Sequence, residues 1–532
     1  MSVVSRLAAV IGITVTASVL TSAQPVHAQS AESLIKSKCG VCHERQADGT
    51  VHRINAVRKT PEGWLMTILR MEQNHGLQVT APERRTLVKH LADSQGLAPS
   101  ESKGYRYVLE RAPGVSDVGP TETLTQMCGR CHTFARVALQ RRDAEEWLKL
   151  VHFHLGQYPT AEYQALGRDR DWWGMATTGA VKELAELLSY SSDAWTAWKD
   201  KPKQSAAGTW RIVGRAPGKG GFHGIAEIKA DGDDTYTFTN TLEYADGSKV
   251  VRTGKGIVYA GHEWRSSASG DDGNKVRAVM GMSEDGKSAA GRSYLADNDT
   301  IGGNMTAVRV EGAAPEVMAV QPSHIRQGAT TTVKVHGVGL SDAVDLGAGL
   351  TTKVVSADAN TVVLEVTAAA DAVTGARDVS VGKATATASL VVFDKVDRVA
   401  VEPAATYARV GDADGPIAPE TAQFEAVGFM NGADGKAGTE DDVRIGVFPA
   451  KWSADNFDES AAAMDDKKFT GSITQTGLFQ PAGAGPNAAR QMSTNNVGNL
   501  SVTATVDDNG NMVEGKGQLF VTVQRFVDPP IR

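Results

Sequence analysis

The sequence predicts a multidomain chain in which an all-α domain is followed by three all-β domains, an antiparallel β-barrel and then two immunoglobulin-like β-sandwiches. Three observations carry this. Composition shifts near residue 200, from a part rich in Leu, Trp, Arg and Glu to one rich in Gly, Ala, Thr, Val and Asp. Apolar residues recur at helical spacing before that point and alternate at strand spacing after it. The length of 532 residues exceeds what one hydrophobic core supports. The modest net charge of -7 argues against nucleic acid as a partner.

Taken in order, Arg6 precedes an apolar run from Leu7 to Leu20, and Val26-His27-Ala28 supplies small residues at cleavage positions. Residues 1–28 read as a secretory signal peptide, too short and wrongly flanked to be a membrane span. The mature chain is expected to start near Gln29 and to reside in the periplasm. No other stretch is long and apolar enough to cross a bilayer, so a soluble protein is expected.

The string Cys39-Gly40-Val41-Cys42-His43 recurs as Cys128-Gly129-Arg130-Cys131-His132, and the two copies use every cysteine of the chain. Each reads as a c-type haem attachment site. Two thiols at that spacing reach the two vinyl groups on one edge of a porphyrin, and the adjacent histidine comes to lie beneath the iron. Cys39, Cys42, Cys128 and Cys131 are thus candidate covalent sites, with His43 and His132 as candidate proximal ligands. A redox dithiol or a shared zinc site is the competing interpretation. The first needs a βαβ setting and the second needs the pairs close together, whereas these lie far apart in sequence and each carries its histidine. With all thiols committed, no disulfide is expected despite the oxidising compartment.

Around these motifs the helical signals repeat. A phrase from Pro61 through Trp64, Leu65, Ile68 and Leu69 reaches Met71, and Thr80 and Glu83 form a capping box ahead of Leu87, Val88 and Leu91. After the second motif, Ala144-Glu145-Glu146-Trp147-Leu148 opens a helix, and Val181, Leu184, Leu187 and Leu188 mark a later one. Residues 29–195 are therefore expected to form a dihaem cytochrome c domain of two tandem units, about 29–100 and 101–195. Setting Trp64 on Trp147 brings Met71 onto His154, each seven residues further on. Met71 and His154 are the candidate distal ligands, an inequivalence that gives electrons a preferred direction because Met raises the potential relative to a second His. His75, Met66 and Met127 compete with Met71, and His152 or Met175 with His154. Thioethers on helices also serve as core filler. His52 and His90 read as solvated or capping side chains.

From residue 196 to 312, runs such as Thr235-Tyr236-Thr237-Phe238-Thr239 separated by Gly-Asp, Asp-Gly and Gly-Gly turns predict a closed antiparallel barrel. Residues 313–395 hold Thr331-Thr332-Val333-Lys334-Val335, Val362-Val363-Leu364-Glu365-Val366 and Ser389-Leu390-Val391-Val392-Phe393, strands of one sandwich. Residues 396–532, from Val399-Ala400-Val401 to Leu519-Phe520-Val521-Thr522-Val523, predict the other. Neither contains a cysteine for an inter-sheet disulfide. Catalytic signals are lacking here. The acidic loop 431–442 lacks EF-hand register and reads as a surface turn, although cation binding there stays open. Gly218-Lys219-Gly220-Gly221 lacks a phosphate-loop context. His223, His262, His324 and His336 occur singly.

The two haem motifs behind a signal peptide, the barrel, and sandwich phrases such as Gly337-Val338-Gly339-Leu340, Asp345-Leu346-Gly347-Ala348-Gly349-Leu350 and Val396-Asp397-Arg398-Val399-Ala400-Val401-Glu402-Pro403 resemble the α subunit of quinohaemoprotein amine dehydrogenase over essentially the whole mature chain. The resemblance implies a periplasmic heterotrimer with a propeller β subunit and a small γ subunit bearing cysteine tryptophylquinone. That quinone oxidises a primary amine to aldehyde and ammonia, and the two haems here pass its electrons to a soluble blue copper protein or cytochrome c. It implies no catalytic residue in this chain, because the hard chemistry belongs to the partner's cofactor. The alternative is a free-standing periplasmic dihaem c-type electron carrier whose β-sandwich domains bind another partner. A dihaem peroxidase would need an open sixth position at one iron.

Overall fold

The computed structural model describes residues 29–158, 161–166, 169–411 and 417–524. The signal-peptide segment, residues 1–28, lies outside the described residues.

The first domain is not all-α. Two short strands, β1 (Val57–Lys59) and β2 (Gln140–Arg142), pair antiparallel with Arg58 opposite Arg141 at the centre. Segments of π-helix at Ile35–Cys39 and Ala176–Ala180, and of 3-10 helix at Lys103–Val108, interrupt the α-helices further. The expected all-α cytochrome domain is therefore corrected to a mixed, mostly helical one. A strand of three residues is invisible to period counting, which needs a window of roughly 11–18 residues. Only long-range pairing between the two halves makes these residues strands.

That ribbon relates the halves by an approximate two-fold axis. β1 runs through Thr60 into the helix Pro61–His75, and β2 runs through Asp143 into the helix Ala144–Gln157. Thr60 Oγ1 accepts the Gly63 amide and Asp143 accepts the Glu146 amide, so both helices start on a side-chain cap. Trp64 and Trp147 anchor the two cores at 2% and 1% exposure. Lys59 Nζ lies 5.4 Å from the Trp64 ring, and the Arg142 guanidinium lies 5.7 Å from the Trp147 ring. The helix Ala81–Ser94 closes the first half behind the Thr80–Glu83 capping box, and Val181–Leu187 closes the second.

At the axis sits one buried carboxylate. Glu101 takes two hydrogen bonds from Arg58 (2.8 and 3.0 Å), one from Arg141 Nε (3.0 Å), one from Ser192 (2.9 Å) and one from the Ala98 amide (2.8 Å). Arg58 is 1% exposed and also donates to the carbonyls of Tyr190 and Gly96.

Eight antiparallel strands follow: β3 (Gly208–Ala216), β4 (Gly220–Gly232), β5 (Thr235–Tyr244), β6 (Lys249–Tyr259), β7 (Glu263–Gly270), β8 (Lys275–Met282), β9 (Ser288–Leu295) and β10 (Gly302–Arg309). β10 pairs with β3 and closes the barrel, which leaves no free edge. The Asp246-Gly247 turn works because Gly247 takes φ 83°, a left-handed value that costs glycine nothing. Trp210, Phe222, Phe238 and Trp264 fill the interior and leave a cavity of about 80 Å³.

The next domain is a sandwich of two four-stranded sheets enclosing Val333, Val335, Val362, Leu364, Val379 and Leu390. The last domain departs from a simple two-sheet sandwich. Its strands form three sheets, of three, four and three strands, and the helices Glu459–Ala463 and Asp466–Phe469 are inserted between strands.

The domains are locked by polar contacts. Arg265 of β7 pairs with Glu62 of the first domain and with Glu263 (2.6 Å), and Glu263 accepts the Ser102 hydroxyl at 2.7 Å. The four single histidines stand at such junctions. His262 hydrogen-bonds the Leu97 carbonyl at 2.9 Å, His223 stacks on His336 at 3.8 Å, and His324 stacks on Phe448 at 4.7 Å.

Glu101 and Glu263 are both held at about 2, against an ordinary 4.5. In each, burial alone would raise the value, and the facing arginines override it. A carboxyl whose folded value is depressed stabilises the fold above its ordinary value and loses that contribution as pH falls through the folded one. Acid unfolding of the haem domain and its barrel junction is therefore expected between about pH 4.5 and 2. Each group contributes on the order of 3 kcal/mol. Circular dichroism across that range, compared with Glu263→Gln, checks it: the variant's transition must be shallower.

Candidate functional site

The second half contains the best-formed site. The helix Glu122–Cys128 ends at the motif and carries Cys128, Cys131 and His132 to the wall of a cavity of about 380 Å³. His154, from the helix Ala144–Gln157, lines the same cavity. His132 Nδ1 donates to the Thr133 carbonyl at 2.9 Å, and His154 Nδ1 donates to the Leu150 carbonyl at 2.8 Å. A ring nitrogen so engaged fixes the tautomer and leaves Nε2 as the free lone pair, the arrangement metal-binding histidines adopt. Burial lowers the His132 value, and nearby Arg136 and His154 lower it further.

In the first half, Cys39 packs against the core of Leu34, Ile35, Trp64 and Ile68, while Cys42 is exposed. His43 Nδ1 donates to the His52 carbonyl at 3.1 Å, again freeing Nε2. Met71 is half-buried on the helix face of Trp64 and Ile68, at the same offset from Trp64 as His154 from Trp147.

The competitors separate cleanly. Met66 and Met127 line the second cavity: Met66 lies on the opposite face of its helix from Trp64, and Met127 precedes the second motif. His75 is exposed at its helix end, His152 is exposed against Trp173, and Met175 is 37% exposed. Two carboxylates of the acidic loop are engaged by protein groups: Asp441 accepts the Asp434 amide and the Thr439 hydroxyl, and Asp442 accepts the Gly438 amide and Arg398.

Burial pushes Cys128 up to about 12 and raises Cys39, whereas reactive C-x-x-C thiols are depressed. Among the described residues no three His, Cys, Asp or Glu side chains stand together to hold an ion.

Comparison with known families decides the matter. Residues 29–195 match the family model described as quinohemoprotein amine dehydrogenase A, alpha subunit, haem binding. Residues 203–310, 314–394 and 399–531 match alpha subunit domains II, III and IV of the same enzyme. The chain belongs to the quinohemoprotein amine dehydrogenase alpha subunit family. It is thus one subunit of a multi-subunit oxidoreductase, and residues 29–195 are its haem-binding domain. No curated protein sequence matches the chain. Solved structures similar to parts of it include a de novo designed fluorescence-activating β-barrel (19% identity, 19% of this chain and 91% of that one, TM-score 0.17). Others are mouse clustered PcdhgC3 EC1-3 (12%, 47% and 77%, 0.17) and domains 5-6 of the S-layer protein SbsC (13%, 40% and 98%, 0.16). Scores this low carry no argument about the alpha subunit.

The residues of the alpha subunit's second cavity fit haem. Its volume falls in the range of roughly 300–1,000 Å³ typical of cofactor sites. The donor set of two thiols and two imidazoles with free Nε2 suits a tethered, six-coordinate iron. Gln164 Oε1, on the cavity wall, is buried without a partner.

Sequence reading missed the cationic wall of this cavity, where Lys59, Arg70, Arg136 and Arg142 gather. One signal was available: Arg58-Lys59 and Arg141-Arg142 stand at the same offset before Trp64 and Trp147. No helix among the described residues is long and apolar enough to cross a membrane.

Proposed function

We propose that this chain is the electron-transfer dihaem subunit of a periplasmic quinohaemoprotein amine dehydrogenase. It passes electrons from a cysteine tryptophylquinone on a small partner subunit, reduced by oxidative deamination of primary amines, to a soluble copper protein or cytochrome c. The observation that carries this reading is the cavity holding Cys128, Cys131, His132 and His154 together, within a fold whose other half repeats the motif.

Bound haem supplies one-electron oxidation and reduction at iron. The chain's residues do the rest. Cys39 and Cys42 would hold one ring by thioethers, and Cys128 and Cys131 the other. His43 and His132 would each hold iron through Nε2, oriented by their Nδ1 hydrogen bonds. Met71 and His154, at equivalent helix positions, are the residues that would complete the hold on the two haems. Oxidation of an amine with water to aldehyde and ammonia releases two electrons and two protons, so two one-electron sites match one turnover. The propeller β subunit and the quinone-bearing γ subunit supply the amine chemistry, and residues 1–28 direct the chain to the periplasm.

The test is anaerobic addition of a primary amine to the complex purified from periplasm. Both haem bands are expected to become reduced, and the small subunit to stain for quinone. A chain isolated as a monomer, with no quinone-bearing partner and no amine-dependent haem reduction, would overturn the reading in favour of a free-standing carrier.

A further inference from the structure

The second cavity is walled in part by the wrong unit. The helix Pro61–His75 belongs to the first half, and its Trp64 and Ile68 face that half's core. Met66 and Arg70, on the other side of the same helix, line the second cavity. One helix therefore contributes to the first half's core and to the second half's cavity.

The charges on this wall do not balance. Five cations line the cavity, Lys59, Arg70, Arg130, Arg136 and Arg142, and among the described residues the one carboxylate on the lining itself is Glu62. Glu62 is committed to Arg265, and Arg130 to Asp169. Arg142 reaches Glu146 at 3.7 Å, but Glu146 already accepts Arg53 and Lys149. Lys59 donates to the Thr67 hydroxyl (2.6 Å) and lies against the Trp64 ring, and the carboxylate whose charge acts on it is the already engaged Glu146. Arg70 has the Met66 sulfur (2.7 Å) and the Phe153 ring (5.3 Å). No carboxylate among the described residues pairs with Arg136.

Burial lowers Lys59, Arg136 and Arg142, and the positive charge of Arg70 lowers each of them further. Arg70 lines the same cavity as all three. Cations gathered away from water without counter-charge are costly, and proteins pair such groups. The cavity calls for a dianion.

We infer that Arg70, with Lys59 and Arg136, clamps the two propionate carboxylates of the haem tethered at Cys128 and Cys131, so that the first unit's helix sets the potential of the second unit's haem. The inference rests on the proposed haem at that motif. Haem carries its two carboxylates on the edge away from its vinyl-derived thioethers, so a ring held at Cys128 and Cys131 needs cations from elsewhere on the wall. Arginine suits the task because its planar fork meets a carboxylate in a bidentate pair. An uncompensated carboxylate near the iron favours the ferric state, and neutralising it raises the potential.

The experiment is a spectroelectrochemical titration of the complete purified complex, wild type against Arg70→Gln, Arg70→Lys and Arg136→Gln. The Cys128→Ala/Cys131→Ala protein, which keeps the first haem alone, assigns the two waves. Arg70→Gln is expected to lower the second haem's potential by a tenfold step in its one-electron equilibrium, about 59 mV. Arg70→Lys is expected to recover most of the drop, Arg136→Gln to shift in the same direction, and the first haem to stay put. If Arg70→Gln fails to accumulate, Arg136→Gln reads the same sign. An unmoved second wave, equal movement of both waves, or a lysine variant no better than glutamine overturns the clamp while leaving the dihaem reading intact. A wild-type protein with one haem overturns both.

Discussion

Replacing Glu101 with Gln is expected to destabilise the haem-binding domain by about 3–5 kcal/mol, the cost of removing one partner from a buried ion pair. Arg58 is 1% exposed and Arg141 6%, and both direct guanidinium hydrogen bonds into this one carboxylate. Gln is nearly the same shape, so little packing is lost. What disappears is the negative charge between two cations, and the new amide points donors at donors. The node already carries one net positive charge, relieved by the carbonyls of Tyr190 and Gly96 and by the Trp195 ring 5.1 Å from Arg58. Those contacts have no capacity for a second. Because Arg58 leads into the helix bearing Met71 and Arg141 into the helix bearing His154, the damage reaches both haem sites. A multidomain chain does not unfold in one step, so the measurement is hydrogen exchange at the β1–β2 amides together with haem loss on heating. A change below about 1 kcal/mol at those amides would show that the node is not what holds the halves together.

The second large effect concerns the distal ligands. His154→Met is expected to raise the potential of the second haem by more than one tenfold step in its equilibrium, about 59 mV, since methionine favours ferrous iron relative to a second imidazole. Axial ligands span roughly 0.8 V across proteins, which leaves ample room for that shift. The oxidised protein should then gain intensity in the weak long-wavelength charge-transfer band of a sulfur-to-iron bond. Met71→Ala should remove that band from the otherwise unaltered protein. The geometry favours His154 because its Nδ1 is already committed to the Leu150 carbonyl and the ring lines the His132 cavity. His152, two residues away, is exposed beside Trp173. If His154→Met leaves the potential and spectrum unchanged while His152→Met alters both, the assignment of the second distal ligand is wrong.

Legibility in the sequence differed by element. The strands of the barrel announce themselves by alternation and by turns such as Asp246-Gly247, since each strand is long enough to show its period. The capping box at Thr80 and Glu83 is equally local. The β1–β2 ribbon was not legible, because its strands are 3 residues each and Arg58, Lys59, Arg141 and Arg142 belong to residue types that are usually solvated. Their burial follows from Glu101, some forty residues from either arginine in sequence. The third sheet and the inserted helices of the last domain were hidden likewise, being short and defined by pairing with distant strands. The single histidines gave no hint that they stand at domain junctions.

By itself the sequence determined the things that depend on neighbours in the chain: the two Cys-x-x-Cys-His motifs, the helix starts, the alternating strands and the family resemblance. Tertiary structure alone decided which groups share a low-dielectric space. It put Met66 and Met127 on the second cavity, kept His154 there, and left His152 exposed. It also drew Lys59 and Arg70 from the first unit onto the second unit's wall. The reason is that charge and ligation act through space over a few ångströms, and a few ångströms in the fold correspond to no fixed distance along the chain.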